Sequence, residues 1–251
     1  MTKVGLSVVV VTLNEEERIR ECLESVAWAD ELIVVDAESR DKTATIAREL
    51  TDHVFVRPWP GFAPQKNFGL EQARGDWILS LDADEVVSPA LREEITAIVS
   101  GGGAHAGYAM PRRNVFWGRW VRHGGLYPDR QLRLFRRGRG RFVERNVHES
   151  VRVDGSVGRL AGHLEHRSYR DVADFLERAD RYSTLAAEAW LAAGRPARPL
   201  LDLVGRPVGR FLGMYVVRAG FLDGWRGFLL AVLYGYYVLM RSAKIWERMK
   251  R

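Results

Sequence analysis

Apolar and polar positions alternate between two kinds of pattern along the first hundred residues. Residues 6–11 (Leu-Ser-Val-Val-Val-Val) form a β-branched run of the kind found in strands buried on both faces. Asn14 then reads as the start of a helix: Glu17 stands three residues on, as in a capping box, and Ile19, Cys22, Leu23 and Val26 follow at helical spacing. Residues 32–35 make a second buried strand ending at Asp36, and Asp41 can cap a helix running to about residue 50. Residues 53–56 read as a third strand, 65–73 as a helix stopped near Gly75, and 77–81 as a fourth strand ending at Asp82. Ser88-Pro89 combines an N-cap with proline in the first helical position and predicts a helix to about residue 99, broken by Gly101-Gly102-Gly103.

Strands alternating with helices predict an α/β fold with a mainly parallel sheet covered by helices. Ligands of such sheets bind at the carboxyl ends of the strands. Asp36 and Asp82 stand at two such ends, and Thr12 and Asn14 lie just past a third. Four polar residues at one sheet edge therefore define a candidate site from pattern alone.

The pattern changes after Gly103. Residues 104–165 are rich in Arg, Gly and aromatics, with strand-like pieces at 131–135 and 142–147. Beyond Asp171 helices dominate: 171–193, then a Gly/Pro-broken connection at 194–209, then 211–217 and 227–247. The expected organisation is a first domain over 1–167, with one half at 1–100 and another at 104–167. A helical region over 168–251 follows.

Charge sharpens this picture. The chain is +6 overall, yet residues 110–145 carry eleven arginines against Asp129 and Glu144. Arg241, Lys244, Arg248, Lys250 and Arg251 form a second basic cluster. Both suggest anionic partners such as phosphates, nucleic acid or an anionic membrane surface. The single cysteine, Cys22, excludes an internal disulfide and a cysteine zinc cluster. The opening Met-Thr-Lys-Val-Gly lacks the apolar stretch of a signal peptide, so a cytoplasmic location is expected. Residues 227–240 are fourteen uncharged residues bounded by Arg226 and Arg241. That is short of the roughly 20 needed to span a bilayer, so an interfacial helix or one packed into the protein is expected.

Asp82-x-Asp84 offers two carboxylates just past a buried strand, within reach of one hard cation such as Mg²⁺ or Mn²⁺. Without its neighbours the segment would read as a solvated acidic turn. The first strand-to-helix turn has neither G-x-G-x-x-G nor a Walker lysine loop, which argues against a dinucleotide or P-loop cradle there. Arg130 and Arg133 are three apart on a strand-like run and point to opposite faces, so at most one faces the site. His163 and His166 flank Leu164-Glu165; their spacing makes a weak metal pair, and a structural or acceptor-contact role is preferred.

Four segments in order, residues 11–16 (VTLNEE), 34–43 (VVDAESRDKT), 65–69 (QKNFG) and 81–85 (LDADE), resemble family 2 glycosyltransferases of the GT-A fold. Residues 127–135 (YPDRQLRLF), 147–149 (VHE), 166–169 (HRSY) and 220–224 (GFLDG) are similar to one branch of it, the lipopolysaccharide-core β-1,4-glucosyltransferases that glucosylate heptose. The resemblance implies that Thr12, Asn14, Glu16, Asp36 and Ala83 line the nucleotide-sugar pocket, that Lys66 and Asn67 close over the base, and that Asp82 is shared between ribose and metal. It implies Asp84 as the metal ligand. Arg133 would stabilise the departing diphosphate through a guanidinium matched to phosphate oxygens. Ala37-Glu38 departs from the Gly/Ser-rich sequence usual after the second-strand aspartate.

Sugar transfer with inversion needs a base at the acceptor hydroxyl, and Glu149, with His148 orienting, is expected to supply it. The function implied is an inverting, Mg²⁺- or Mn²⁺-dependent transfer of a hexose, glucose by resemblance, from a UDP-sugar to a lipid-borne glycan such as a lipopolysaccharide inner core. The work would be done peripherally at the inner face of the cell membrane, with no nucleic-acid partner. A polyprenyl-phosphate-linked acceptor is the rival within the family, and a noncatalytic basic membrane-surface adaptor is the rival outside it.

Overall fold

The computed structural model describes residues 5–145, 148–194, 196 and 198–249; at residues 144, 145, 148 and 149 it describes backbone only. The chain divides into two compact units, residues 1–112 with 129–166, and residues 113–128 with 167–251.

In the first unit, β1 (Leu6–Thr12), β2 (Glu31–Asp36), β3 (Val54–Val56) and β4 (Trp77–Asp82) are joined by α1 (Ile19–Glu24), α2 (Thr43–Arg48) and α3 (Phe62–Gln72). The short β5 (Glu85–Val87) and the helix α4 (Pro89–Gly101) follow. The remaining strands are β6 (Gly107–Phe116), β7 (Arg119–Trp120, within the second unit), β8 (Asp129–Arg136), the antiparallel pair β9 (Gly140–Arg145) and β10 (His148–Val153), β11 (Val157–Arg159), which pairs in parallel with β6, and β12 (Leu164–Tyr169). The main sheet runs β3-β2-β1-β4-β8-β6-β12-β5, parallel across its first four strands and antiparallel from β8 onward. The fold is α/β of the GT-A type.

β1 is buried along its whole length, and its side chains alternate between two cores. Val8 and Val10 pack with Leu79, Leu81, Ile19, Leu23, Leu91 and Ile95 on one face. Val9 and Val11 pack with Ile33, Val35, Ile78 and Phe135 on the other. Gly69 explains how closely α3 approaches that second face: a Cβ there would lie 2.4 Å from Val9 Cγ1. Ser88 caps α4 as expected, its hydroxyl accepting from the Leu91 amide, with Pro89 in the first turn.

Two expected boundaries are corrected. The first helix begins at Ile19, not Asn14, because the intervening amides find partners elsewhere. Asn14 has φ +54° and donates its N–H to Ser39 Oγ at 2.8 Å, while Glu15 N–H donates to Thr43 Oγ1 at 2.8 Å. The Gly/Pro-broken connection expected at 194–209 is helical from residue 199. A π-helical turn (Leu201–Gly205) leads into α6 (Arg206–Leu212) and a second π turn (Gly213–Val217). Pro207 follows the π turn inside a continuous helical stretch, where its missing N–H removes one backbone hydrogen bond.

The second unit adds α5 (Val172–Ala192) and α7 (Gly224–Met249) to that helical stretch. Asp171 caps α5 by accepting from the Asp174 amide at 2.8 Å, and Asp174 accepts from the Arg170 amide at 3.0 Å. The unit's core is aromatic: Phe116, Phe175, Leu230 and Leu233 are buried, with Tyr169 edge-on to Phe175 and Phe175 edge-on to Tyr234. Among the described residues, one helical segment, Gly220–Met249, is long and apolar enough to cross a membrane.

Candidate functional site

Strand register assembles the site. On β1, Thr12 pairs with Asp36 of β2, and Val11 pairs with Asp82 of β4. Three strands thus end in one row, and three of the residues singled out by sequence stand in it.

Asp82 sits inside a cage of cations. Lys66 Nζ, on the sheet-facing side of α3, lies 2.7 Å from Asp82 Oδ1, and Arg133 of β8 donates to Asp82 Oδ2. The same guanidinium reaches Glu85 Oε1 at 2.7 Å, and Arg112 approaches that oxygen at 3.3 Å. Glu85 Oε2 in turn accepts from the Asp82 amide at 3.0 Å. Burial alone would push the Asp82 carboxyl up, but Arg133 and Lys66 hold it well below the usual carboxylate range. Asp82 and Glu85 in turn raise the Arg133 guanidinium against the opposing effect of burial.

Asp84, two residues on, has a different set. Its Oδ2 lies 3.4 Å from His166 Nε2 and 3.9 Å from Arg18 Nη1. Burial pushes this carboxyl up; His166 and Arg18 outweigh it, so the net shift is downward. Ala83 between them is buried and places the two carboxylates against separate partners.

The loop after β2 closes over the loop after β1. Asp36 is fully buried and accepts both the Ser39 amide at 2.8 Å and the Ser39 hydroxyl at 2.5 Å. This turn needs a left-handed residue, and Glu38 takes φ +59°, a conformation glycine adopts without cost. That is the physical content of the unusual Ala37-Glu38. Asn14 Oδ1 accepts from the Arg40 amide and Glu16 Oε2 from the Lys42 amide, each within 2.9 Å, so both side chains stitch the two loops together.

The profile described as Glycosyl transferase family 2 matches residues 7–159. The chain belongs to that family. A similar protein is the lipopolysaccharide core biosynthesis glycosyltransferase LpsC of Rhizobium meliloti (strain 1021), 32% identical over 253 residues that cover 98% of this chain and 93% of LpsC. An uncharacterized glycosyltransferase of Rickettsia typhi is 29% identical over 254 residues, covering 96% of this chain and 87% of that protein. Among solved structures, the mannosyltransferase PcManGT of Pyrobaculum calidifontis, in complex with GDP-Man and Mn²⁺, shares the fold. Its TM-score is 0.54 at 16% identity, covering 98% of this chain and 88% of that one. The chain is thus a glycosyltransferase.

Within this transferase, Thr12, Asp36, Lys66, Asp82, Asp84 and Arg133 gather about the ends of β1, β2 and β4. Arg130 is exposed while Arg133 is buried, as their spacing requires. Asn67 is placed differently. Its amide accepts from and donates to the Phe142 backbone, both at 2.9 Å, clasping α3 to β9. A cleft of about 580 Å³ opens beside that clasp, lined in part by Arg57, Phe68, Arg141 and Phe142, and holds none of Asp36, Asp82 or Asp84. The carboxylates sit elsewhere, and their polar partners rather than cavity size mark the site. The side chains of His148 and Glu149 lie outside the described residues, as does Val147.

Two participants, Arg18 and Glu85, were given no role from sequence, and His166 acquires a definite partner. Arg18 is buried and bridges Glu15 and Asp84; its only sequence signal is the i,i+3 spacing to Glu15. Glu85 is fully buried and ties Arg112 and Arg133 together. His166 faces Asp84, whereas His163 approaches Glu165 at 3.9 Å, so the two histidines do not form a pair.

The arrangement also suits a divalent cation. Asp84 and His166 present an oxygen and a nitrogen at one point. Among the described residues no three His, Cys, Asp or Glu side chains converge to hold a metal unaided. Mg²⁺ and Mn²⁺ commonly complete their shell with substrate phosphates and water, so two protein donors fit that usage. Thr12 Oγ1 and Arg133 Nε are buried with no hydrogen-bond partner, as expected of groups that meet a ligand.

Proposed function

We propose that this transferase moves a hexose from a UDP-sugar to a lipid-borne glycan, with inversion, and that the acceptor belongs to a lipopolysaccharide inner core. The observation that carries the donor half is the strand-end row of Thr12, Asp36 and Asp82 beside the Asp84–His166 pair. The acceptor half is supported by LpsC, which the chain matches over nearly its whole length. Glucose as the transferred sugar rests on the branch resemblance in residues 127–135 and 220–224.

Asp36 and Thr12 would receive the nucleoside. Asp84 and His166 would hold a Mg²⁺ or Mn²⁺ ion, whose chemistry is to neutralise the diphosphate as a Lewis acid. Arg133, buried with an orphaned Nε, would donate to a phosphate oxygen of the leaving group. Lys66 keeps Asp82 ionised and adds positive charge at the same point. Glu149 would accept the proton of the acceptor hydroxyl as it attacks the anomeric carbon, with His148 orienting it. Transfer would occur at the inner face of the cell membrane.

Calorimetric titration of the full chain with UDP, with and without Mn²⁺, tests the donor site. Binding of UDP that requires Mn²⁺ is expected. Heats that vanish in both conditions would leave the strand-end row without its role and favour a noncatalytic surface protein. Radiolabelled transfer from UDP-glucose onto heptose-terminated core lipid, run beside a polyprenyl-phosphate glycan, then decides the acceptor.

A further inference from the structure

Residues 198–217 have their polarity inside out. A surface helix in water turns charge outward and hydrocarbon inward. Here the exposed side chains from 200 to 217 are Leu200, Leu201, Val204, Val208, Leu212, Val216 and Val217, and the remaining exposed positions are glycines. Leu200 is 83% exposed and Val217 80%. The charged residues face the other way. Asp202 is 4% exposed, with Arg206 Nε 3.0 Å from its Oδ1 and the Arg198 amide donating to its Oδ2. Arg206 lies over the Trp190 ring and Arg210 over Tyr234.

The apolar surface continues onto α7. Phe228 packs edge-on against Phe211 and Tyr215, and Phe221 against Tyr215, yet Phe221 and Phe228 remain about half exposed. Trp225 is 57% exposed beside them. Scattered exposed hydrophobics need no explanation, but a contiguous face of this composition does. The ends identify its occupant. Arg198 and Arg218, both exposed, close the helical stretch at either end. The acids of the region are occupied: Asp202 by Arg206, and Asp223 by the amides of Arg122 and His123. Hydrocarbon outward, arginine at both ends and an exposed tryptophan match the interface of an anionic bilayer.

We infer that residues 198–217, with the amino-terminal turns of α7, form an in-plane membrane-insertion surface for anionic phospholipid, the apolar face entering the acyl boundary and Arg198 and Arg218 meeting the headgroups. This moves the membrane contact from the middle of α7, where Leu230, Ala231, Leu233 and Gly235 are buried, to the preceding helix. It deepens the membrane-side reading above and rests on it only for location, not for the donor site.

The test uses the full chain with vesicles of phosphatidylcholine alone or mixed with phosphatidylglycerol. Sedimentation with the mixed vesicles, weaker binding to the neutral ones, and quenching of Trp225 fluorescence by brominated lipid are expected, the quenching disappearing in Trp225→Phe. A Val204→Asp/Val208→Asp variant should lose at least about tenfold in partitioning, since each change removes an exposed valine from the inserting face and adds a charge. Its Mn²⁺-dependent UDP binding should be retained, which separates loss of this surface from failure of the donor site. Wild-type protein that stays in the supernatant, absence of bromolipid quenching, or equal partitioning of the variant would overturn the proposal. So would a wild-type dimer in sedimentation equilibrium that the variant dissolves without any lipid binding, because the face would then join two copies of the chain.

Discussion

The two units solve opposite problems. The strand-end site buries charge: Asp82, Glu85, Lys66 and Arg133 are withdrawn from water and pay for it by pairing with one another. The stretch 198–217 exposes hydrocarbon and tucks its charges away. A buried ion pair adds little stability compared with a well-packed apolar pair, yet becomes costly when one partner is removed. Under the proposed donor role, its use would be to hold ionised groups rigid against a sugar diphosphate. An outward apolar face is likewise a cost in water and is recovered only in a partner phase. Each departure from ordinary burial marks a place where the molecule meets something else.

The largest effect is expected at the site's least crowded carboxylate. Asp84→Ala should reduce transfer by about 10²–10³-fold or more while far-ultraviolet circular dichroism stays native. Turnover close to wild type would remove Asp84 from the metal assignment. Arg133→Ala tests whether buried charge is structural as well as chemical. It leaves Glu85 with Arg112 alone at 3.3 Å and should cost about 3–5 kcal/mol in urea unfolding. A loss below about 1 kcal/mol would mean that water readily replaces the guanidinium.

Lys244→Ala probes the other unit. Lys244 Nζ donates to the Asp180 carboxylate, the Asp180 carbonyl, Ser183 Oγ and Thr184 Oγ1, tying α7 to α5. Hydrogen bonds to a charged group suggest a loss of about 1.5–3 kcal/mol, visible as a lower thermal midpoint. Gly69→Ala should cost about 1–3 kcal/mol, because the new methyl meets Val9 Cγ1 at 2.4 Å. Adding Val9→Ala should recover part of that loss, and strict additivity of the two changes would place the strain elsewhere.

The smallest effect is one of pH. Burial would raise the Asp174 carboxyl, but the Arg170 amide and Arg178 lower it overall. A depressed carboxyl contributes stability that is present above its unfolded value, about 3.9, and lost as pH falls through the lower folded value. Asp174→Asn should therefore flatten the fall in stability below about pH 4. An unchanged acid slope would detach this carboxylate from the stability of α5.

Most of the fold was legible because it rests on local, periodic signals. The run at residues 6–11 could only be a strand buried on both sides, and Ser88-Pro89 could only open a helix. The membership in a family 2 glycosyltransferase lineage was likewise readable from short segments in order. The start of α1 was misplaced because Asn14 and Glu17 carry a good capping signal, while the amides they would serve are taken by Ser39 and Thr43 of another loop. The helical nature of residues 201–217 was hidden by Pro207, Gly205, Gly209 and Gly213, which argue against a helix until neighbouring helices support it.

What the sequence determined by itself was which residues end the strands: Thr12, Asp36 and Asp82 are placed by the apolar runs that precede them, and hydrophobic burial fixes those runs regardless of distant partners. What only the tertiary structure decided was how charge is shared among them. Arg18, Glu85 and His166 come from separate parts of the chain and acquire meaning through distances of a few ångströms, over which a buried charge selects its partner. The same holds for residues 198–217. Their composition speaks of a helix face, but which side faces out depends on where Asp202, Arg206 and Arg210 find their partners.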